Sequence, residues 1–270
     1  MRIRAIIAAL VLLVRVHLAS AESGDLAGIA HVAFRVADLE KSRQFYETLG
    51  FEKAFEFTDA GKVIELFIKV NDRQFIELYP RTQDSQSPGL MHVCFEVSDV
   101  ESLRSAYINR ELNPPEAKKF KAGNLLFVLH DPEGQLLEYA QYSPGSLHLE
   151  DRGEHLGEKR ISDHLEAAVT PVRDLGVERA FYVGKLGFGD IGSSGTQLSL
   201  PGNSGDELHL QLATATTKSQ ITFAVENPKQ TADVLRRRGI APQIEQDAVT
   251  VTDPDGTLIT FRTIRMPPKQ

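Results

Sequence analysis

The chain has 270 residues, 41% apolar and 25% charged, with a formal charge of −7. That is enough for two ordinary domains or one domain built from repeats, and the composition is that of a globular protein rather than a disordered or fibrous one. The negative charge argues against a nucleic-acid partner, whose phosphates require a basic surface. The short run Arg236-Arg237-Arg238 falls at a predicted helix end, where cations complement the helix dipole in solvent.

The N-terminus reads as a secretory signal peptide over residues 1–21. Arg2 and Arg4 give a positive start, Ala5 to Val14 is a ten-residue apolar run, and Ala19-Ser20-Ala21 is an A-x-A cleavage site. Ten helical residues reach only about half of a bilayer core, so the run is not a spanning anchor and no membrane contact is expected after cleavage. Removal takes three Arg and no acidic residue, leaving the mature chain at −10. The expected location is periplasmic or extracellular. Cys94 is the only cysteine, so no intrachain disulfide can form and the fold rests on its core.

Past the signal, one pattern recurs. HVAFRVADLEKSRQFYETLGF from His31 matches AAVTPVRDLGVERAFYVGKLGF from Ala167. HVCFEVSDVESLRSAY from His92 matches QITFAVENPKQTADVL from Gln220, and each of these is followed by a turn-bearing strand region, HDPEGQLLEYA and TDPDGTLITFR. In the first unit Val32, Phe34 and Val36 alternate with His31, Ala33 and Arg35, which predicts a half-buried strand. Asp38 is the expected N-cap of a helix carrying Leu39, Tyr46 and Leu49 on its apolar stripe and ending at Gly50. Lys62 to Tyr79 then predicts two or three strands, giving βαβββ. The second unit repeats this, with Asp99 as cap, a helix through Leu103 and Tyr107, and strands near 125–129 and 135–139. A lone helix on a small sheet leaves one face bare, so units must pair, first with second and third with fourth. The polar stretch from Ser143 to Arg160 reads as a solvated connection between pairs.

Four titratable residues stand at matched places. His31 and His92 are 61 residues apart, and so are Glu77 and Glu138. His31 opposes Val32, Phe34 and Val36, His92 opposes Val93, Phe95 and Val97, and both Glu side chains oppose the apolar faces of their strands. All four are expected to point into one cavity. A divalent cation resolves the cost of gathering them there, two carboxylates balancing its charge and two neutral imidazoles completing four ligands.

Tandem βαβββ units with His and Glu so placed resemble the vicinal oxygen chelate superfamily, which includes glyoxalase I, extradiol dioxygenases and bleomycin-resistance proteins. The Phe-Tyr segments ending in Leu-Gly-Phe and the Asp-Pro-x-Gly turns mark the superfamily, and the His/Glu/His/Glu set is most similar to bacterial glyoxalase I. The resemblance implies an α+β fold of four βαβββ units paired into two such domains: residues 22–143 with the metal site, a linker at 144–160, and residues 161–270 without the ligands. It implies one divalent transition metal (Ni, Co, Fe, Mn or Zn) on His31, Glu77, His92 and Glu138. It also implies a small substrate with adjacent oxygens and lyase or isomerase chemistry through a metal-stabilised enolate. Glu138 would be the general base, and Glu77 its counterpart on the other face.

Arg35 matches a glutathione-contacting arginine of glyoxalase I, whereas Arg81 stands where that enzyme has asparagine, a departure that argues against glutathione, as export does. Tyr79, Arg81 and His130 join Arg35 as candidate substrate contacts; His130 could equally orient Glu138. Cys94 reads as a buried, inert thiol. The dioxygenase pattern wants a tyrosine before the Asp-Pro-x-Gly turn, where this chain has Leu129 and His130. An extradiol-dioxygenase-like enzyme and a non-enzymatic small-molecule (antibiotic) binding protein are the alternatives. In the C-terminal half Ala167, Gln220 and Thr260 replace ligands and Gln211 is placed near the first Glu position, so that half is expected to be metal-free, forming cavity wall or a homodimer surface.

Overall fold

The computed structural model describes residues 25–263, so the signal-peptide reading lies outside the described residues. In the first unit β1 (Gly28–Val36) leads into α1 (Leu39–Thr48) and then β2 (Glu52–Asp59), β3 (Lys62–Lys69) and β4 (Phe75–Pro80). The sequence expectation missed β2, whose charges and half-buried side chains hide any clean alternation. The second unit is β5 (Gly89–Glu96), α2 (Val100–Asn109), β6 (Lys118–Lys119), β7 (Leu125–His130) and β8 (Leu136–Gln141). Asp38 caps α1 by accepting from the Lys41 N–H, and Asp99 caps α2 by accepting from that of Ser102.

A short α3 (Leu147–Glu150) precedes the second half. There β9 (Leu165–Val172), α4 (Leu175–Phe181), β10 (Gly189–Asp190), β11 (Gln197–Ser199) and β12 (Glu207–Leu212) form the third unit. The fourth is β13 (Gln220–Val225), α5 (Pro228–Arg237), β14 (Gln243–Ile244), β15 (Ala248–Thr252) and β16 (Leu258–Thr263). Two eight-stranded sheets result, β2-β3-β4-β1-β5-β8-β7-β6 and β10-β11-β12-β9-β13-β16-β15-β14. The orders correspond position by position, so units pair first with second and third with fourth. The architecture is α+β.

Each sheet turns one face to a single hydrophobic core common to both halves. Val32, Phe34 and Val36 of β1 meet Tyr46 of α1 and Tyr107 of α2 there, together with Ile221, Phe223 and Leu235. The halves interlock through the Leu-Gly-Phe segments: Phe51 stacks on Phe223 at 5.2 Å, and Phe188 meets Phe95 edge-on at 5.7 Å. The Asp-Pro-x-Gly turns reach across reciprocally. Asp255 accepts from the Ala37 N–H at 3.1 Å, just before α1, while Glu133 accepts from the N–H groups of Arg173 and Asp174 at 2.7 Å, just before α4. These contacts pair exposed backbone donors just ahead of each helix with carboxylates of the opposite half.

The stretch from Ser143 to Arg160 is not simply solvated. Ser146, His148 and Asp151 are buried, and Lys69, whose side chain has no exposure, pairs with Asp151 at 2.8 Å. Its far end packs on Gly50. That glycine has φ +88, and a Cβ there would lie 2.2 Å from the Lys159 carbonyl oxygen. Among the described residues no helix is long and apolar enough to cross a membrane.

Candidate metal centre

The sheet pairing explains how distant residues meet. Glu77 stands beside Ala33 in the parallel β4–β1 ladder, and His92 stands beside the same Ala33 across the antiparallel β1–β5 ladder. His31 is two residues back on β1, on the same face, and pairs with Cys94, which in turn pairs with Glu138 on β8. Strand alternation then sends His31, Glu77, His92 and Glu138 to the side away from the core.

Their polar tips converge. The Nε2 atoms of His31 and His92 lie 3.0 Å apart. Glu77 Oε2 is 3.2 Å from His31 Nε2 and 3.1 Å from His92 Nε2, and Glu138 Oε2 is 3.6 Å from both. Ligand atoms about 2.0–2.2 Å from a divalent ion stand about 3 Å apart in neighbouring octahedral positions and about 3.4 Å apart in a tetrahedron. The observed spacings span these values. Glu77 Oε2 is moreover buried without a hydrogen-bond partner. The donor set therefore fits a divalent metal ion, which His31, Glu77, His92 and Glu138 would hold. Burial opposes charge on both carboxyls, but the two imidazoles outweigh it and hold Glu77 well below, and Glu138 below, the usual carboxylate range.

Cys94 is fully buried beside this group, and burial pushes its thiol up to about 11. Its Sγ lies within 4.8 Å of ligand atoms of His31 and Glu138.

A cavity of about 220 Å³ is lined by three of the four, His31, Glu77 and Glu138, and also by Glu65, Phe67, Tyr79, Lys121, Asn124 and His148. The Tyr79 hydroxyl donates to Glu77 Oε1 at 3.0 Å, so this candidate substrate contact also orients a ligand. The other three candidates lie elsewhere. Arg35 is half-buried on β1, level with Tyr79, but not in the cavity lining. Arg81 is exposed beyond β4 and pairs with Asp84 at 3.4 Å. His130 is exposed at the end of β7. Sequence reasoning missed Glu65, Asn124 and His148. Glu65 was hidden on a strand without clean alternation; burial and the neighbouring Glu77 push its carboxyl up to about 8. His148 was hidden in a polar stretch whose one readable signal is Ser146 capping a helical turn.

The second sheet has the same frame and different chemistry. Its ladders put Ala167 at the His31 place, Gln220 at the His92 place and Thr260 at the Glu138 place. The Glu77 place belongs to His209, which stands beside Val169, and not to Gln211 as the spacing suggested. Register is fixed by pairing with β9, whereas counting from the helix is thrown off by the differently sized β10–β12 region. Arg262 and Glu166 occupy the places of Ala140 and Ala30. Arg262 donates to Glu166 at 2.5 Å and to Glu207 at 2.7 Å, and His209 meets Glu207 at 2.6 Å. A guanidinium thus supplies the positive charge among these buried carboxylates.

Residues 28–139 match the model of the Glyoxalase/Bleomycin resistance protein/Dioxygenase superfamily. They form a domain of that superfamily. No curated sequence matches the chain significantly. Solved structures do resemble it. The Mn(II)-bound glyoxalase from Novosphingobium aromaticivorans shares 15% identity over 88% of this chain and 82% of that one, with a TM-score of 0.67. The 2,3-dioxygenase LapB from Pseudomonas sp. KL28 shares 15% identity over 92% and 95%, also at 0.67. An extradiol ring-cleaving dioxygenase from B. fuscum shares 18% over 93% and 76%, again at 0.67. At such identities the likeness is one of fold, and both sheets of this chain take part in it.

Proposed function

We propose that this superfamily member is an exported metalloenzyme with glyoxalase-like lyase or isomerase activity on a small substrate bearing adjacent oxygens. The observation that carries the reading is the convergence of two imidazole nitrogens 3.0 Å apart with two carboxylates, each 3.1 to 3.6 Å from both imidazoles, beside a cavity that His31, Glu77 and Glu138 line. The Ala5–Val14 run and the Ala19-Ser20-Ala21 site support export.

A metal held there would supply Lewis acidity to paired substrate oxygens, lowering the cost of removing a proton from the neighbouring carbon. The chain does the rest. Glu77 is the closer and more buried carboxylate, held by Tyr79, whereas Glu138 stands farther from both imidazoles and is more exposed. Glu138 is therefore the carboxylate free to take up a substrate proton and return it at the adjacent carbon. Phe67 and Leu126 line the cavity and exclude water from that transfer.

A second reading has its own support. His31, Glu77 and His92 cluster more tightly than the full set, and two His with one carboxylate is the ligand pattern of non-haem Fe(II) oxygenases. The two are separated by assaying untagged protein for metal, for product from a hemithioacetal, and for oxygen uptake with catechols. Chelator-sensitive product without oxygen uptake supports the first; oxygen uptake alone supports the second. Ligand binding that survives metal removal, without turnover, would show a sequestering protein instead.

A further inference from the structure

The segment joining the halves sends one side chain into the metal-site cavity. His148, on the single turn of α3, is 2% exposed and sits edge-on to Phe67 and Phe75 and stacked on Tyr142. Its Nδ1 lies 2.9 Å from Asn124 Nδ2, and Asn124 is 4% exposed. Both residues line the cavity with His31, Glu77 and Glu138. Two of their polar atoms, His148 Nε2 and Asn124 Oδ1, are buried and have no hydrogen-bond partner. Buried polar groups are almost always paired, and two open ones on a single hydrogen-bonded pair call for an explanation.

We propose that the Asn124–His148 pair is a second polar subsite of this cavity, which takes a hydroxyl group of the substrate remote from its metal-chelating oxygens. The donor count supports a hydroxyl. With Asn124 donating to Nδ1, the pair offers Nε2–H as donor and Oδ1 as acceptor. With the amide turned over, it offers the amide N–H as donor and Nε2 as acceptor. Either way one donor and one acceptor remain, which is what a hydroxyl satisfies. A carboxylate group finds only one donor there and faces the carboxylates of Glu77 and Glu138 across the cavity, where Lys121 also stands. The volume of about 220 Å³ and the wall of Phe67 and Leu126 select a small, neutral, polyoxygenated compound. Burial among aromatic rings keeps the imidazole uncharged, in keeping with such a ligand.

The subsite rests on the metal reading above, and the test keeps the two apart. Protein loaded with Co(II) is titrated calorimetrically under argon with catechol and with 1,2,3- and 1,2,4-benzenetriol. The unaltered protein is expected to bind at least one triol roughly three- to tenfold more tightly than catechol, the worth of one neutral hydrogen-bonded group. His148→Phe and Asn124→Leu are expected to abolish that advantage while leaving catechol affinity and the Co(II) absorption spectrum unchanged. If His148→Phe fails to fold, Asn124→Leu carries the loss and His148→Gln, which keeps a donor and an acceptor, retains the advantage. A triol advantage that survives both substitutions, or one absent from the unaltered protein, overturns the subsite with the metal centre intact. Failure of the unaltered protein to take up Co(II) overturns the metal reading, and the subsite falls with it.

Discussion

His31 Nε2 and His92 Nε2 stand 3.0 Å apart across 61 residues of chain, on neighbouring strands of one sheet. Two imidazoles at that separation need a shared proton or a shared cation, and the carboxylates of Glu77 and Glu138 beside them favour the cation. One equivalent of divalent metal per chain is expected. At a hundredfold excess over Kd, metal should stabilise the fold by about 2.7 kcal/mol, or roughly 5–10 °C in melting temperature. His31→Ala should abolish both the uptake and the shift, measured by elemental analysis and thermal melts. Two equivalents would contradict the substitution of ligands in the second sheet.

Glu138 is the looser of the two carboxylates, so Glu138→Gln separates chemistry from binding. If the proposed isomerisation is the activity, the variant should retain metal on His31, Glu77 and His92 while its kcat falls about 10²–10⁴-fold, the usual contribution of a general base. An unchanged kcat would move the proton transfer to another group.

In the second sheet Arg262 faces Glu166 and Glu207, and together with His209 it holds the Glu207 carboxyl down to about 2 against the opposing effect of burial. Removing one member of a buried ionic cluster leaves uncompensated charge. Arg262→Met should cost about 3–5 kcal/mol in urea denaturation. Adding Glu166→Gln and Glu207→Gln should recover a large part of it. A loss below about 1 kcal/mol would mean that water, not the guanidinium, solvates those carboxylates.

The depressed basicity of His148 makes a statement about pH. Burial, with His31 and Lys69 contributing, pushes its pKa from the ordinary 6.5 down to about 3. Between those values the unfolded chain holds a proton that the folded one does not, so stability is fully present above pH 6.5 and lost on acidification. The loss from this group is about 1.4 kcal/mol per pH unit. Urea midpoints measured from pH 7 to pH 4 should therefore fall less steeply in His148→Phe than in the unaltered protein. Parallel curves would show that the imidazole already reaches water.

Gly50 combines a left-handed backbone with close contact to the Lys159 carbonyl. Gly50→Ala should destabilise the fold by about 1–3 kcal/mol, read by denaturation, because both the conformation and the space exclude a Cβ. Gly61, also left-handed but with open space around it, should tolerate the same change with a smaller loss.

The amino-acid sequence by itself determined the repeat, the sidedness of β1 and β5, the Asp caps and the four residues whose polar tips converge on one side of the first sheet. Those features are written in local order: alternation with period two fixes which face a side chain takes, and matched 61-residue spacings place four such side chains on equivalent strands. The tertiary structure decided the rest. It put His209 rather than Gln211 at the fourth place of the second sheet, because strand register follows from pairing and not from counting along the chain. It left Arg35, Arg81 and His130 outside the cavity lining, and brought in Glu65, Asn124 and His148. His148 is the plainest case: nothing local distinguishes it within a polar connecting segment, and only packing against Phe67, Phe75 and Tyr142 carries it to the metal-site cavity.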